Sequence, residues 1–382
     1  MMLLEHHAKM LLAERGLPVP NGELVRTSRI ADREKGVVAK AQVAVGGRGK
    51  AGGIRLVRPG ESLSDSLSEL LAMTIKGHEV RACRVEEMVD FQNEAYISLT
   101  VEPSSGTIRV LISPHGGVEV EDEHTRADML SESAAAEPGA VLAVAERLAA
   151  RLPEPLAPAL ALAARGLVDA FFAYEAVMLE INPLFVRADG SWVVGDAKLV
   201  IDENSFPRQP RLQAVIETDP DLYPEAALKL EQGFDYVELD GGGDIGLVTT
   251  GAGLSMQLVD ELIARGHRPF NFCDIRTGEF RGEPTRLIQV LQWIAAAPSI
   301  RSVLINFFAG HTDLTEIARL LLIAIEQVPE LKAPITARFI GNGLAEAQRI
   351  IADAGNPIRI ETDLERAIGL AIAATGRETE IA

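Results

Sequence analysis

Residues 179–200 read LEINPLFVRADGSWVVGDAKLV. The apolar and β-branched runs on either side of residues 188–190 predict two antiparallel strands joined by a three-residue loop. Such loops commonly end in a left-handed residue, and Gly190 is the residue type that adopts this conformation without strain. The loop sets the strand register, so that Arg187 pairs with Ser191.

The same register places Asn182 opposite Asp196 and Glu180 opposite Lys198. Side chains alternate along a strand, so the four polar groups share one face of the hairpin. Carboxylate and amide oxygens on a rigid hairpin, completed by substrate phosphates, are typical of Mg²⁺ sites. A surface hairpin with a cross-strand ion pair explains the same residues, and the hairpin alone does not decide between the two.

Composition predicts a packed protein of about two or three domains. The chain has 382 residues, of which 47% are hydrophobic and 24% are charged. Its net charge of −18 argues against a nucleic-acid partner and against an anionic membrane surface. A local basic pocket for phosphates remains compatible with this charge.

The two cysteines favour a reducing, cytoplasmic location. Cys83 and Cys273 form neither a metal-binding spacing nor a disulfide framework. Residues 1–16 carry too many charges and too short an apolar run for a signal peptide. We also expect no membrane span, because no segment approaches about 20 apolar residues.

Glycines cluster between two predicted strands near the start of the chain. The strand at 36–43 runs into residues 46–53, which include Arg48 and Lys50, and a returning strand follows at 54–57. Glycine lets backbone N–H groups approach an anion closely, and the two cations add positive charge. We name residues 46–53 the glycine-rich loop.

The glycine-rich loop is not a Walker A motif, because Ala51 stands where Ser or Thr is required. Its position between two strands favours a lid over the phosphates of a nucleotide. Lys40, near the end of the first strand, supports this interpretation. A flexible hairpin tip is the alternative.

The remainder of the first half alternates between predicted helices and strands, and residues 114–138 are polar enough to predict a loop. The predicted helices are 2–15, 61–77, 140–151 and 157–172, and the predicted strands are 84–89, 94–101 and 107–113.

The second half predicts a parallel sheet covered by helices on both faces. The main domain boundary is expected within 220–242, where prolines and three consecutive glycines occur. The predicted strands are 245–250, 269–275, 303–308, 335–340 and 357–360, and the predicted helices are 254–265, 283–297, 313–328, 343–354 and 363–374.

Small residues follow the carboxyl ends of these strands, where parallel sheets usually bind ligands. These segments are 251–253, 276–278, 309–311 and 341–343. Small residues let an anion approach the N-termini of the following helices. Tight turns between strand and helix explain the same glycines.

Three segments together resemble the β subunit of succinyl-CoA synthetase and related ADP-forming acyl-CoA ligases. They are residues 40–53 (KAQVAVGGRGKAGG), residues 180–184 with 196–199 (EINPL and DAKL), and residues 206–210 (FPRQP). The resemblance implies an α/β protein with an ATP-grasp nucleotide-binding domain over 1–235. A flavodoxin-like CoA-ligase domain with a parallel sheet is implied over 240–382.

Site residues are implied by the same resemblance. The nucleotide contacts would be Lys40 on the phosphates, Gly47, Arg48 and Gly49 in the lid, Glu86 near the adenine and Glu94 near the phosphates. Arg48 would also take part in catalysis. Asn182 and Asp196 would bind Mg²⁺, and Glu180 would orient a phosphohistidine.

The implied reaction joins a carboxylate to CoA and converts ATP to ADP and phosphate. The phosphoryl group would pass through a histidine of a partner α subunit, which would also carry the CoA site. None of the seven histidines here stands in a corresponding motif. The resemblance therefore implies that this chain is one half of an enzyme, with a small-molecule carboxylate as substrate.

Departures from the family pattern leave the carboxylate undecided. The altered segments are 250–253, 274–280 and 308–312, and they line the implied carboxylate site. The candidate substrate-binding residues are Thr250, Gly310, His311, Thr312 and Arg338. Arg338 suits a substrate carboxylate, and a hydroxyl partner for residues 311 and 312 would suit malate or citrate rather than succinate.

Two other functions fit parts of the sequence. A nucleotide-binding regulatory protein without catalysis would explain the altered segment 274–280. An ATP-grasp amide ligase would explain the first domain, but such chemistry does not need the second domain.

Overall fold

The computed structural model describes residues 1–117, 128–276, 280, 282–310, 312–355 and 358–376. The chain forms two compact units, Met1–Thr218 and Asp219–Ala382. This division precedes the predicted domain limits at 235 and 240. The reason is strand pairing, because Asp235–Glu238 pairs with a strand of the second unit, Asn271–Asp274.

The first unit contains two main antiparallel sheets flanked by helices, and β4 and β5 form a separate two-stranded antiparallel sheet. Its strands are β1 (Gly22–Val25), β2 (Val37–Ala41), β3 (Ile54–Val57), β4 (Thr74–Ile75), β5 (His78–Glu79), β6 (Cys83–Glu87), β7 (Asn93–Glu102), β8 (Thr107–Ser113), β9 (Leu130–Ala135), β10 (Ala176–Val186), β11 (Trp192–Val194) and β12 (Ala197–Ile201). Its α-helices are α1 (Glu5–Glu14), α2 (Leu63–Leu71), α3 (Pro138–Ala149), α4 (Leu156–Ala173) and α5 (Pro210–Thr218).

One sheet has the strand order β1-β6-β2-β3, and the other has the order β11-β10-β7-β8-β9, with β12 also paired to β10. The glycine-rich loop joins β2 and β3, which pair antiparallel as predicted. Strand β2 buries alternate side chains, and α2 covers them with Leu63, Leu67 and Leu70. This packing holds the two strands that flank the loop.

The predicted hairpin register is confirmed. Glu180 pairs with Lys198, and Leu184 pairs with Val194. The backbone N–H of Asn182 donates to the carbonyl of Asp196 at 3.2 Å. The return strand is interrupted at residues 195 and 196, and these two residues separate β11 from β12.

The predicted loop at 114–138 is wrong in part. Residues Leu130–Ala135 form β9, which pairs antiparallel with β8. Their sequence, LSESAA, lacks the aromatic and β-branched residues that favour strands, so pairing with β8 decides the conformation. Residues 118–127 of the predicted loop lie outside the described residues.

One described helix has the length and composition of a membrane span, contrary to the expectation from sequence. Helix α4 has 18 residues with a mean hydropathy of 1.5, and half of this stretch is buried inside the protein. Leu160, Leu167 and Phe171 lie on its buried face. The core helix of a globular unit can have the same length and hydropathy, so these properties are weak evidence for a membrane span.

The second unit is built on a parallel sheet with the order β14-β16-β17-β18. Its strands are β13 (Asp235–Glu238), β14 (Ile245–Thr249), β15 (Asn271–Asp274), β16 (Ser302–Ala309), β17 (Ile335–Gly341) and β18 (Arg359–Glu361). Its helices are α6 (Pro224–Gln232), α7 (Ala252–Ala264), α8 (Thr285–Ala296), α9 (Leu314–Gln327), α10 (Leu344–Asp353) and α11 (Leu364–Ala374).

Both faces of this sheet are covered, as predicted. Helices α7 and α11 pack on one face around Leu258, Leu304 and Ile368. Helices α8, α9 and α10 pack on the other face around Leu291 and Phe307. The sheet therefore presents only its strand ends to a ligand.

Strand β15 departs from the predicted parallel sheet, because it pairs antiparallel with β13. It still lies beside β14. Its neighbour Phe270 donates to the carbonyl of Ile245 at 2.8 Å. The side chain of Asn271 bonds both the N–H and the carbonyl of Leu247 at 2.8 Å. A buried side-chain amide thus replaces part of the backbone ladder between β14 and β15.

Candidate functional site

Both sheets of the first unit line one cavity of about 780 Å³. The residues around it come from α1, the glycine-rich loop, β6, β7 and the hairpin. All the site residues predicted for this half of the chain are among them: Lys40, Gly47, Arg48, Gly49, Glu86, Glu94, Glu180, Asn182 and Asp196. Residues separated by more than 150 positions in the chain are therefore brought to one space.

One wall of the cavity is apolar. Phe91 and Phe185 stack with ring centroids 4.2 Å apart, and Leu56 and Met88 lie on the same cavity. Leu56 is 59% exposed and Phe91 is 43% exposed, which is unusual for large apolar side chains. Such a wall can bury a planar ring.

Another part of the cavity wall is strongly charged. Lys40 donates to Glu5 at 2.9 Å and to the carbonyl of Gly195 at 2.7 Å, and its ammonium lies 2.6 Å from Glu86. Burial opposes the charge on Lys40, but Glu5 and Glu86 raise its pKa above the ordinary value. Lys40 is therefore charged, and its three N–H donors have three acceptors.

Arg48 folds back from the glycine-rich loop into this wall. It donates to the carbonyl of Ala41 at 3.0 Å, to Asp196 Oδ2 at 2.7 Å and to Glu5. Although burial opposes the charge, Asp196 and Glu5 raise the pKa of Arg48. The loop is thus tied to the hairpin through one guanidinium.

The sequence did not identify two charged residues of α1 as site residues. Lys9 is fully buried and donates to Glu86 at 2.8 Å and to the carbonyl of Gly195 at 2.7 Å. Glu5 lies one turn earlier, 2.8 Å from Lys9. Burial lowers the pKa of Lys9 to about 8. A Glu and a Lys spaced i,i+4 usually lie on an exposed helix face. The only indication in the sequence that this pair is buried was its position beside the apolar stripe of the helix.

Glu86 lies among the cations. The resemblance implied a place near the adenine, whereas the carboxylate contacts Lys9, Lys40 and Arg84. Burial raises the pKa of Glu86, but Lys40 and Lys9 outweigh burial and lower it. We name the set of Glu5, Lys9, Lys40, Arg48, Arg84, Glu86 and Asp196 the charge cluster.

The predicted metal ligands face each other across the hairpin. Asn182 Oδ1 accepts from the N–H of Gly117 at 2.6 Å, and Asp196 Oδ1 accepts from the N–H of Ala197 at 2.7 Å. Burial and the nearby Glu5 raise the pKa of Asp196, although Arg48 opposes this shift.

The oxygen donors of this pair fit Mg²⁺, which commonly takes one or two protein ligands together with phosphates and water. Within the described part of the chain, no three His, Cys, Asp or Glu side chains gather to hold a metal. A divalent ion here would thus depend on the ligand's own oxygens.

Glu180 is held by β7. The hydroxyl of Tyr96 donates to Glu180 Oε2 at 3.2 Å. Burial and the charge of Glu180 raise the pKa of Tyr96 to about 12, so the phenol remains a donor. Glu94 lies further along β7 and faces Phe185 in the strand register.

The candidate substrate-binding residues lie in the second unit. Thr250 follows β14, and its hydroxyl accepts from the N–H of Phe308 at 3.1 Å. Gly310 and Thr312 follow β16. His311 lies outside the described residues, as do positions 277–279 of the altered segment 274–280.

Arg338 lies on β17, before the strand end. It donates to Asn306 Oδ1 and to the carbonyl of Thr362, both at 3.0 Å. Burial lowers the pKa of Arg338, although Asp363 opposes this shift. Asn306 is fully buried, and its Nδ2 has no hydrogen-bond partner among the described residues. Sequence reasoning missed Asn306, which reads as an ordinary strand residue.

Known proteins match both halves of the chain. Residues 2–186 match the family described as ATP-grasp domain, and residues 248–368 match the family described as CoA-ligase. The β subunit of ADP-forming succinate–CoA ligase from Chloroflexus aurantiacus is 36% identical over 364 residues, which cover 92% of this chain and 94% of that protein. The chain belongs to this family of ligase β subunits.

A second relative supports the same assignment. The β subunit of ADP-forming succinate–CoA ligase from Halobacterium salinarum is 33% identical over 383 residues, covering 97% of this ligase β-subunit chain and 98% of that protein. The predicted order of an ATP-grasp domain and a CoA-ligase domain is confirmed.

Solved structures add a likeness of fold. ATP citrate lyase from Methanothrix soehngenii, solved with citrate and coenzyme A, superposes on this ligase β-subunit chain with a TM-score of 0.76. The two chains are 18% identical, and the match covers 97% of this chain and 99% of that chain. The likeness concerns the fold and leaves the substrate undecided.

Proposed function

We propose that this chain is the β subunit of a heteromeric enzyme that uses ATP to join CoA to a di- or tricarboxylate. The observation that carries the proposal is the first unit's cavity. It combines an apolar wall, a charged wall and the oxygen pair of Asn182 and Asp196. The products would be the acyl-CoA thioester, ADP and phosphate.

The charged wall suits the phosphates of ATP. Phosphoryl transfer requires stabilisation of the charge on the transferring group, and Lys40 and Arg48 supply fixed cations for this purpose. A phosphate oxygen that binds Lys40 replaces one of its present acceptors. Mg²⁺, held by Asn182 and Asp196, would neutralise further phosphate charge.

The transfer needs a phosphoryl acceptor, and no histidine among the described residues lines the cavity. The acceptor we propose is a histidine of an α subunit, which Glu180 orients while Tyr96 holds Glu180 in place. The α subunit would also bind CoA.

The carboxylate substrate would bind at the strand ends of the second unit, near Thr250, Gly310, His311, Thr312 and Arg338. Arg338 and Asn306 lie side by side on adjacent strands, and the Nδ2 of Asn306 has no hydrogen-bond partner within the described part of the chain. A guanidinium and an amide N–H₂ are suitable donors for a carboxylate. They support a substrate with at least one carboxylate beyond the reacting one.

The proposal is tested with the chain co-expressed with its α subunit. ATP, CoA and succinate, malate or citrate are supplied in turn, and thioester and ADP are measured. We expect thioester with at least one acid and almost none from the isolated chain. Full activity of the isolated chain would exclude the proposal. ATP binding without transfer to any α subunit would favour the regulatory protein instead.

Replacement of Arg338 separates the two units' roles. We expect Arg338→Ala to raise the KM for the carboxylate roughly 10- to 100-fold, because a charged hydrogen bond is worth about 1.5–3 kcal/mol. Phosphorylation of the α subunit by ATP should be unchanged. A variant that phosphorylates slowly but keeps its carboxylate KM would contradict this assignment.

A further inference from the structure

The cations of the cavity converge on Glu5, a residue outside every motif that the sequence suggested. Glu5 Oε1 lies 2.8 Å from Lys9 and 2.9 Å from Lys40, and Oε2 accepts from Arg48. These partners come from α1, β2 and the glycine-rich loop. One carboxylate therefore joins three elements around the cavity.

Glu5 is ionised and almost inaccessible. It is 4% exposed. Burial raises its pKa, but Arg48, Lys40 and Lys9 together hold the pKa well below the ordinary value. Buried ion pairs rarely increase stability over well-packed apolar residues. A purely architectural role therefore gives little reason for a carboxylate at this position.

The placement of Glu5 suits a role in the chemistry. Glu5, Lys40 and Arg48 all line the cavity. Arg48 is shared between Glu5 and Asp196. If Asp196 directed an oxygen to a bound metal, Glu5 would still hold the Arg48 guanidinium in the charged wall.

We propose that Glu5 is a positioning residue for phosphoryl transfer, which fixes Lys40 and Arg48 at the phosphate end of the cavity. The inference rests on the proposed function. Glu5 itself touches neither ATP nor the acceptor and acts through the two cations.

The charge cluster makes a distinctive prediction. It holds four cations against three carboxylates. Replacing Glu5 by Gln increases the positive surplus, so Mg-ATP should bind at least as tightly. The cations lose their shared anchor, however, and small displacements of catalytic groups slow reactions by up to about 100-fold.

The test uses the complete complex with its α subunit and Mg-ATP as the probe. Single-turnover phosphorylation of the α subunit is followed at increasing Mg-ATP for the wild type, Glu5→Gln and Glu5→Asp. Glu14→Gln is the matched control, because Glu14 lies on the same helix and pairs with Arg211 at the surface. We expect Glu5→Gln to transfer roughly 100-fold more slowly at saturating Mg-ATP, with an unchanged or lower Kd. Glu14→Gln should match the wild type.

Glu5→Asp keeps the charge but shortens the side chain, and we expect an intermediate rate with unchanged Mg-ATP binding. If Glu5→Gln does not fold, the rate of Glu5→Asp tests the inference instead. A wild-type rate in either folded variant overturns the inference, and so does a slower rate with equally weakened Mg-ATP binding. Failure of the wild-type complex to phosphorylate its α subunit would instead refute the proposed function.

Discussion

Tyr96 and Glu180 form a cross-strand hydrogen bond beside the proposed site of phosphoryl transfer. Glu180 lies on β10, and its carboxylate accepts from the Tyr96 hydroxyl of the neighbouring strand at 3.2 Å. The phenol stays protonated because burial and Glu180 raise its pKa to about 12. The carboxylate therefore keeps a donor throughout the neutral pH range.

Removing this donor should slow transfer without weakening ATP binding. We expect Tyr96→Phe to phosphorylate the α subunit roughly 10- to 100-fold more slowly, because a hydrogen bond to a charged group is worth about 1.5–3 kcal/mol. Single-turnover kinetics measure the rate. Tyr174→Phe is the control, since the Tyr174 hydroxyl donates to the carbonyl of Leu11 away from the cavity. Equal rates for Tyr96→Phe and the control would show that Tyr96 does not contribute to phosphoryl transfer.

The hairpin of β10, β11 and β12 is the element that connects the charged wall with the proposed metal ligands. The carbonyl of Gly195 accepts from both Lys9 and Lys40. A Cβ at Gly195 would lie 2.6 Å from the Phe185 ring and 2.7 Å from the carbonyl of Pro183. Only glycine lets the hairpin close at this point.

Gly195→Ala should therefore lower both Tm and the transfer rate. Overpacking of this kind costs about 1–3 kcal/mol, and displacement of the carbonyl releases two lysines. Gly139→Ala is the matched control in the same unit, because its Cβ meets nothing within 4 Å and Gly139 lies in α3. That variant should be stabilised by about 0.5–1 kcal/mol. A thermal scan in which Gly195→Ala has a higher Tm than Gly139→Ala would contradict this reasoning.

The elements differ in how far the sequence could predict them. The hairpin register followed from a three-residue loop ending in Gly190, because such a loop permits one pairing. The antiparallel partner of β15 did not follow, since β13 lies far away in the chain and the side chain of Asn271 replaces part of the ladder to β14.

The sequence predicted only those residues of the proposed site that lie in recognisable motifs. The register placed Asn182 opposite Asp196, and the family resemblance implied their role, whereas no motif indicated Glu5 and Lys9. They enter the cavity through tertiary packing of α1, and their i,i+4 spacing is the same on an exposed helix face.

At the scale of the whole molecule, each unit carries one buried cysteine. Cys83 lies on β6 in the first unit, and Cys273 lies on β15 in the second. Burial raises the pKa of both thiols to about 12. Both are therefore neutral at pH 8 and react with alkylating reagents only as the surrounding structure opens.

The two thiols can report separately on the two units. At pH 8 we expect slow alkylation of both, and Mg-ATP should slow the labelling of Cys83 while leaving Cys273 unchanged. Mass spectrometry of the labelled peptides measures each rate, and single Cys→Ser variants identify the sites. Protection of Cys273 instead of Cys83 would indicate that the nucleotide binds the second unit, which would contradict the proposal.

The central claim is that the first unit's cavity passes the phosphoryl group of ATP to a partner histidine with the help of Asp196. The most direct measurement is labelling of the co-expressed α subunit by ATP that carries a labelled γ-phosphate. The wild type should label it in a Mg²⁺-dependent manner, and Asp189→Ala, in the exposed hairpin loop, should behave alike. Asp196→Ala should fold normally and label at least roughly 100-fold more slowly. Labelling by Asp196→Ala at the wild-type rate would contradict the account.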